Sequence, residues 1–362
     1  MEELKKLREK IDLIDAKLLD LLEKRARVAK EIYLIKQRDN IPIFDVLRED
    51  EKLAWVGNYV KLFPKEAATK IFVEIFSATR KIGGNVKVAY LGPEGSFSHL
   101  ASISVFGSSA EFSSGGLEDI FLKVQKGETD FGVIPMENSR DGLVGESLDL
   151  LLESNVKIIY EVSMKVSFCF FSNAEDIKDV KRLYSHQKAL VQCSKWIKDN
   201  LVDVDIIYTS STSEGARRAY QDKQGGAIAS EEISKILDFK IFIRDIQDSP
   251  DERTEFAVIS SNDLYEKLIS TRDSAGKKIR VSFCFSVVDE PGSLFRVLQP
   301  IAKRKINMKK IHSRPDKITK RYNFFVEIER PNNRSIMERT FTDMKKNTVF
   351  FKIFGEYPYR VI

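Results

Sequence analysis

Cysteine is scarce in this chain: Cys169, Cys193 and Cys284 are the only three in 362 residues. Their odd number and wide spacing exclude a disulfide framework and a zinc site, and fit a reducing cytoplasm. Histidine is as rare, and His99, His186 and His312 fall in three separate segments, too scattered for a metal cluster. No apolar run approaches the roughly 20 residues that a membrane span needs. The opening MEELKKLREK lacks the apolar core of a signal peptide. With 43% hydrophobic and 31% charged residues, a disordered or fibrous chain is excluded. The length predicts two or three domains.

A large charge of one sign is also missing, because the formal net charge is only +5. That small value is a cancellation. Residues 1–83 carry a net +3, residues 84–276 a net −10 and residues 277–362 a net +12. Three balances in three segments point to three domains, with boundaries at 1–83, 86–262 and 278–362.

From Leu4 to Lys36 there is neither Pro nor Gly, and Leu4, Leu7, Ile11, Ile14, Leu18 and Leu21 alternate at three and four residues. Val28, Ile32 and Ile35 continue the series, which predicts one long helix packed on other helices. Arg25 stands where the next apolar residue belongs, so it requires an anionic partner: a bound ligand or a structural ion pair. Lys36 lies three turns on and shares its face, so both can converge on one small dianion. Arg8 lies about 25 Å from Arg25 along the axis, at 1.5 Å per residue. If Arg8 is a ligand, it serves a site completed by another chain. A second helix is expected near Asp45 and a third over about Lys65–Lys81.

LREKID (Leu7–Asp12), EKRARVA (Glu23–Ala29), Lys36 and DVLREDE (Asp45–Glu51) resemble the all-helical chorismate mutase domain. The resemblance implies three helices from each of two interlocked chains, with the first arginine borrowed from the partner. It casts Arg25 and Lys36 as catalytic, Arg8 (in trans) and Arg48 as further grips on the substrate, and Asp45 and Glu49 as ligands of its hydroxyl. Such a site holds chorismate in the reactive chair and stabilises separating charge, with no acid–base step. Thr79 falls at one contact position of the third helix. The family's Gln or Glu at the other is replaced here by Gly83.

The acidic segment alternates strands with loop–helix turns, an α/β pattern in which ligands gather at the loops after the strands. GPEGSFSH (Gly92–His99) offers hydroxyls and backbone N–H groups at a helix start. GVIPMENS (Gly132–Ser139), SHQKALVQC (Ser185–Cys193) and DIIYTSSTSEGA (Asp205–Ala216) are further turns of this kind, with Ser185 expected as a helix N-cap. Together with RTEF (Arg253–Phe256), these motifs resemble prephenate dehydratase over about 175 residues. The resemblance implies two α/β lobes of the periplasmic-binding-protein kind with the substrate between them. Thr254 becomes the hydroxyl donor to the departing C4 hydroxyl, and Ser96, Glu137, Asn138, Ser139, Ser185 and Gln192 line the cleft. The family's Thr-Arg-Phe is Thr254-Glu255-Phe256 here, and its His-Pro-Gln is His186-Gln187-Lys188. In a strand, Arg253 and Glu255 share the face opposite Thr254 and are expected to neutralise each other. Relatives of this kind act on prephenate or on arogenate.

The polar stretch around Ser270–Lys278 reads as a linker. The segment from Ile279 onward has the order βαββαβ, a ferredoxin-like α+β half-sandwich. Its cations are dispersed and no RNA-reading aromatic motif is present, so a solvated surface is expected rather than a nucleic-acid partner. PGSLF (Pro291–Phe295) and HSRP (His312–Pro315) resemble the ACT domain appended to dehydratases. That implies phenylalanine as feedback effector, held by Gly292, Ser293, Leu294, Ser313, Arg314 and Pro315 at an interface between two such domains. The family's Glu at the start of the second motif is His312 here.

The expectation is a cytoplasmic, dimeric bifunctional enzyme of phenylalanine biosynthesis that needs no cofactor or metal and contacts no membrane. Two alternatives stay open: a dehydratase with a vestigial mutase domain used for dimerisation, and a non-catalytic amino-acid sensor.

Overall fold

The computed structural model describes residues 1–140, 142–270, 278–316 and 321–362; most of the expected linker lies outside them. The chain divides into two compact units. The first is Met1–Lys87 with Phe106–Glu111 and the end of a helix that follows Tyr265. It holds α1 (Glu2–Arg38), α2 (Val46–Tyr59) and α3 (Lys65–Gly83). The Asp45 carboxylate caps α2 by accepting from Arg48 N at 3.1 Å. Leu53, Val73 and Phe76 join α2 to α3. By contrast, α1 buries none of its 37 residues. Leu4, Leu7, Ile11, Ile14, Leu18 and Leu21 are each more than half exposed along one stripe.

The second unit starts with β1 (Lys87–Leu91), α4 (Phe97–Phe106), β2 (Glu111–Gly115), α5 (Leu117–Lys126), β3 (Phe131–Asn138), β4 (Gly142–Leu143), α6 (Gly145–Glu153) and β5 (Lys157–Lys165). The chain then crosses to a second lobe: β6 (Cys169–Ser172), β7 (Arg182–Ser185), α7 (Gln187–Gln192), α8 (Ser194–Asn200), β8 (Asp205–Tyr208), α9 (Thr212–Gln221), β9 (Gly225–Ala229), α10 (Ile233–Ile236) and β10 (Ile241–Ile243). It returns through β11 (Arg253–Ser260) and α11 (Asn262–Ser270). The two crossings run side by side, with Val166 N on Glu252 O at 2.8 Å and Ile246 N on Phe168 O at 3.0 Å. The second lobe is a five-stranded sheet, β10-β6-β9-β7-β8. Its fully buried Phe170, Phe171 and Ile228 explain why these short strands read as continuous apolar runs.

The last part is β12 (Ile279–Ser286), α12 (Ser293–Lys303), β13 (Met308–Pro315), β14 (Tyr322–Glu329), α13 (Arg334–Lys345) and β15 (Phe350–Val361), the βαββαβ order the sequence predicts. Alternation puts Val281, Phe283 and Phe285 of β12 against Val297, Ile301 and Phe341 of its helices. The other face does not meet solvent. Cys284, Phe325, Phe354 and Tyr357 share a core with Leu148, Ile158 and Ala257 of the first lobe. Moreover, β15 pairs in parallel with β5, Tyr359 opposite Glu161 and Val361 opposite Ser163. One ten-stranded sheet therefore runs β13-β14-β12-β15-β5-β11-β3-β1-β2, with β4 beside β3. The three cysteines are free and buried. Among the described residues no helix is long and apolar enough to cross a membrane.

Candidate active sites

In the helical unit, Arg25 Nη1 donates to Thr79 Oγ1 at 2.6 Å, joining α1 to α3, and its guanidinium lies over the Phe76 ring. Lys36 Nζ donates to the carbonyls of Pro42 and Ile43 at 3.0 and 3.1 Å. Burial lowers the Lys36 pKa, and the nearby Asp45 and Glu49 carboxylates oppose that shift. Glu49 forms an ion pair with Arg80, whose Nη2 also donates to Phe106 O at 2.5 Å. Burial pushes the Glu49 carboxyl above its usual range, against the pull of Arg80. Arg25, Lys36, Asp45, Glu49 and Thr79 thus gather at one end of the unit. Arg48 does not join them. It is largely exposed and lies 3.5 Å from Glu51. Arg8 is exposed far along α1.

Two residues of this cluster were not singled out in the sequence. Arg80, only 3% exposed, is the cation that meets Glu49. Tyr33 fills the place beside Gly83: a Cβ at position 83 would lie 2.4 Å from the Tyr33 ring. The signal was the glycine itself, since a residue without a side chain can mark a place where another group approaches closely. Burial raises the Tyr33 phenol pKa, while the neighbouring Arg80 opposes this. Gly83→Gln is therefore expected to destabilise the helical unit by about 1–3 kcal/mol through overpacking. Its urea midpoint, followed by circular dichroism, should recover in Gly83→Gln/Tyr33→Ala.

In the second unit, β3 and β11 run antiparallel with Asn138 opposite Thr254. Asn138 Nδ2 donates to Thr254 Oγ1 at 3.0 Å. The amide is oriented by its other end, because Asn138 Oδ1 accepts from Arg140 N at 2.9 Å. With its oxygen already accepting, the Thr254 hydroxyl keeps its proton to donate. Ser139 braces this corner: its N–H donates to Arg253 O and its Oγ accepts from Arg253 N. From the second lobe, buried Gln192 donates to Glu252 Oε1 at 2.5 Å, two residues before Thr254.

The other expected cleft residues are held differently. Ser185 is fully buried and gives its hydroxyl to Ile228 O at 2.7 Å. It is not the cap of α7; His186 is, accepting from Lys188 N, because the strand runs through Ser185 before the chain turns. Ser96 Oγ donates to Leu91 O and accepts from His99 N, so it shapes the turn into α4. Gly95 in that turn has φ +81°, and its carbonyl accepts from Ser230 of the second lobe. Glu137 does not face the cleft with Asn138. Strand alternation turns it, with its cross-strand neighbour Glu255, to the opposite side, where both pair with Lys310. The expected Arg253–Glu255 neutralisation is also corrected. Arg253 instead donates to Ser163 Oγ and to the carbonyls of Ser163 and Ile362.

In the last domain, Gly292 has φ +80° and leads into Ser293, whose Oγ accepts from Arg296. Leu294 is partly buried in the domain core. Ser313 and Pro315 are exposed on β13. Arg314 reaches Asp149 of α6 at 2.9 Å, over Gly145 where no side chain would fit.

The helical unit, the two-lobed α/β domain with its Asn138–Thr254 pair and the ferredoxin-like domain define a mutase–dehydratase with a further domain appended. Residues 7–83 match the chorismate mutase type II family, 88–264 prephenate dehydratase and 282–340 the ACT domain. The chain is 39% identical over 365 residues to the bifunctional chorismate mutase/prephenate dehydratase of Aquifex aeolicus (strain VF5), covering 99% of this chain and 98% of that one. It is 29% identical over 373 residues to the enzyme of the same name from Pseudomonas aeruginosa, covering 100% and 99%. The crystal structure of a prephenate dehydratase from Arthrobacter aurescens in complex with L-Phe superposes with a TM-score of 0.67 at 25% identity, over 75% of this chain and 90% of that one. The chain belongs to the bifunctional chorismate mutase/prephenate dehydratase family.

Proposed function

We propose that this chain rearranges chorismate to prephenate in its helical unit and converts prephenate to phenylpyruvate at the Asn138–Thr254 pair, with phenylalanine as feedback inhibitor. The observation that carries the second step is the 3.0 Å Asn138–Thr254 hydrogen bond with its locked amide. Loss of carbon dioxide sends its bonding electron pair into the ring, and hydroxide leaves from C4. Thr254 donates a proton so that water departs, and solvent returns the proton to its Oγ. Asn138 orients the hydroxyl. Gln192, Ser185, Ser96 and Ser139 position the strands and turns around it.

In the helical unit, Arg25 and Lys36 take the substrate carboxylates, with Asp45 and Glu49 for its hydroxyl and Thr79 holding Arg25 in place. The exposed apolar stripe of α1 favours a homodimer in which the partner covers it and lends the missing Arg8. Arg48, exposed on the surface of α2, would exchange Glu51 for the substrate to complete the grip. The buried free thiols suit a reducing cytoplasm. Phenylalanine would sit at the Gly292–Leu294 turn and the Ser313–Pro315 strand; the similar Arthrobacter dehydratase is itself a complex with L-Phe.

The test is to incubate the protein separately with chorismate, prephenate and arogenate, and to follow phenylpyruvate or phenylalanine formation. The expected result is product from chorismate and prephenate, suppressed by added phenylalanine. Product from prephenate alone would select a dehydratase with an inactive helical unit, the reading that Gly83 favours. Product from none would leave a sensor.

A further inference from the structure

The alternate residues Lys310, His312 and Arg314 of β13 are half-buried while Lys309, Ile311 and Ser313 between them are exposed. Period two places the three basic side chains on one face. That face meets the dehydratase: Lys310 at Glu137 (2.8 Å) and at Glu255, His312 at 3.8 Å from Glu137, and Arg314 at 2.9 Å from Asp149.

The middle of this contact is unusual. Glu137 and Glu255 are directly opposite each other on β3 and β11, and like charges so placed push strands apart. Glu161 and Glu327 lie close by, with Arg280 shared between them at 3.0 and 2.9 Å. Lys310 is the cation that reaches both cross-strand carboxylates. Burial works against its ammonium, but Glu161, Glu137 and Glu327 outweigh that and raise its pKa, so it stays charged. Each carboxylate it holds is the sequence neighbour of one member of the catalytic pair, Glu137 of Asn138 and Glu255 of Thr254.

We propose that Lys310, contributed by the ACT domain, is a positioning residue for dehydration: by clamping Glu137 to Glu255 behind the strands it sets the Asn138–Thr254 pair on their front. The effector motif begins two residues later on the same strand, so a shift of β13 on binding phenylalanine reaches the catalytic pair through this ammonium. The inference rests on the dehydratase reading above. It also gives a reason for the residue at 255: an arginine there would pair with Glu137 within the dehydratase itself, whereas Glu255 makes the site depend on the sensing domain.

The experiment compares wild type, Lys310→Met, Lys310→Arg and Lys310→Met/Glu255→Arg in the full-length protein, measuring kcat and KM for prephenate with and without phenylalanine. Lys310→Met is expected to lose roughly 10-fold or more in kcat, since a misplacement of about 1 Å costs up to 10²-fold. Lys310→Arg should stay near wild type. The double variant should recover kcat, because the guanidinium introduced on β11 takes over the pairing with Glu137, yet respond less to phenylalanine than wild type does. Wild-type kcat in Lys310→Met overturns the proposal. So does a double variant no better than Lys310→Met, or a Lys310→Arg as impaired as Lys310→Met. If wild type itself fails to turn over prephenate, the dehydratase reading falls first, and this role with it.

Discussion

Thr254→Ala lowers prephenate turnover by roughly 10²–10⁴-fold, the range for removing a positioned general acid, or about 3–5 kcal/mol of transition-state stabilisation. The effect falls on kcat, because the lost proton donation matters only when the C4–O bond is breaking. Conversion of chorismate to prephenate should be unchanged, since Arg25 and Lys36 belong to the other compact unit. Thr254→Ser, which keeps the hydroxyl within reach of Asn138, should retain much more activity than the alanine variant. Steady-state kinetics on both substrates checks this. Undiminished phenylpyruvate formation by Thr254→Ala would remove Thr254 from the chemistry. Asn138→Ala should behave as a weaker version of the same defect, because it frees the Thr254 hydroxyl to rotate without deleting it.

Mixing two inactive proteins should restore mutase activity. Arg8→Ala and Arg25→Ala are each expected to lose roughly 10²–10³-fold in chorismate turnover, the range for deleting one donor to developing charge. Because the two arginines are about 25 Å apart on one straight helix, they serve one site only from two chains. After the two variants are unfolded together and refolded, half the dimers are mixed. Each mixed dimer holds one intact site, so about a quarter of the wild-type rate should return. A mixture as inactive as its parents, with dimers verified by light scattering, would show that Arg8 and Arg25 act in the same chain, and an Arg8→Ala protein as active as wild type would show that Arg8 has no catalytic part.

Much of the fold was legible because its periodicities are strong. The three-and-four spacing of α1 and the period-two strands of the last domain left little freedom in element type, and the helix start expected near Asp45 is realised with Asp45 as the N-cap of α2. Motif resemblance placed Asn138 and Thr254 in one cleft, and only strand pairing makes them a contact across 116 positions. What could not be read was partner choice between distant charges. Arg253 and Glu255 look like a pair at i and i+2, but Glu255 turns to a lysine 55 positions away and Arg253 to backbone carbonyls. Glu137 beside Asn138 looked like a cleft residue, and only the direction of the pleat sends it elsewhere. Arg80 carries no signal in the sequence for a similar reason: its partner is on another helix, 31 positions away. The opposite charges of the last two segments also acquire a meaning, because the basic face of β13 docks on acidic side chains of the dehydratase.

The ladder between β5 and β15 bears on whether this dehydratase can exist without its last domain. Were the last domain excised, β5 would become the edge of its sheet, with a run from Ile158 to Met164 that is buried throughout. Such an edge, long and largely apolar, offers free N–H and C=O groups to any passing strand and invites self-association. A chain shortened after α11 is therefore expected to self-associate through β5, whatever becomes of its activity.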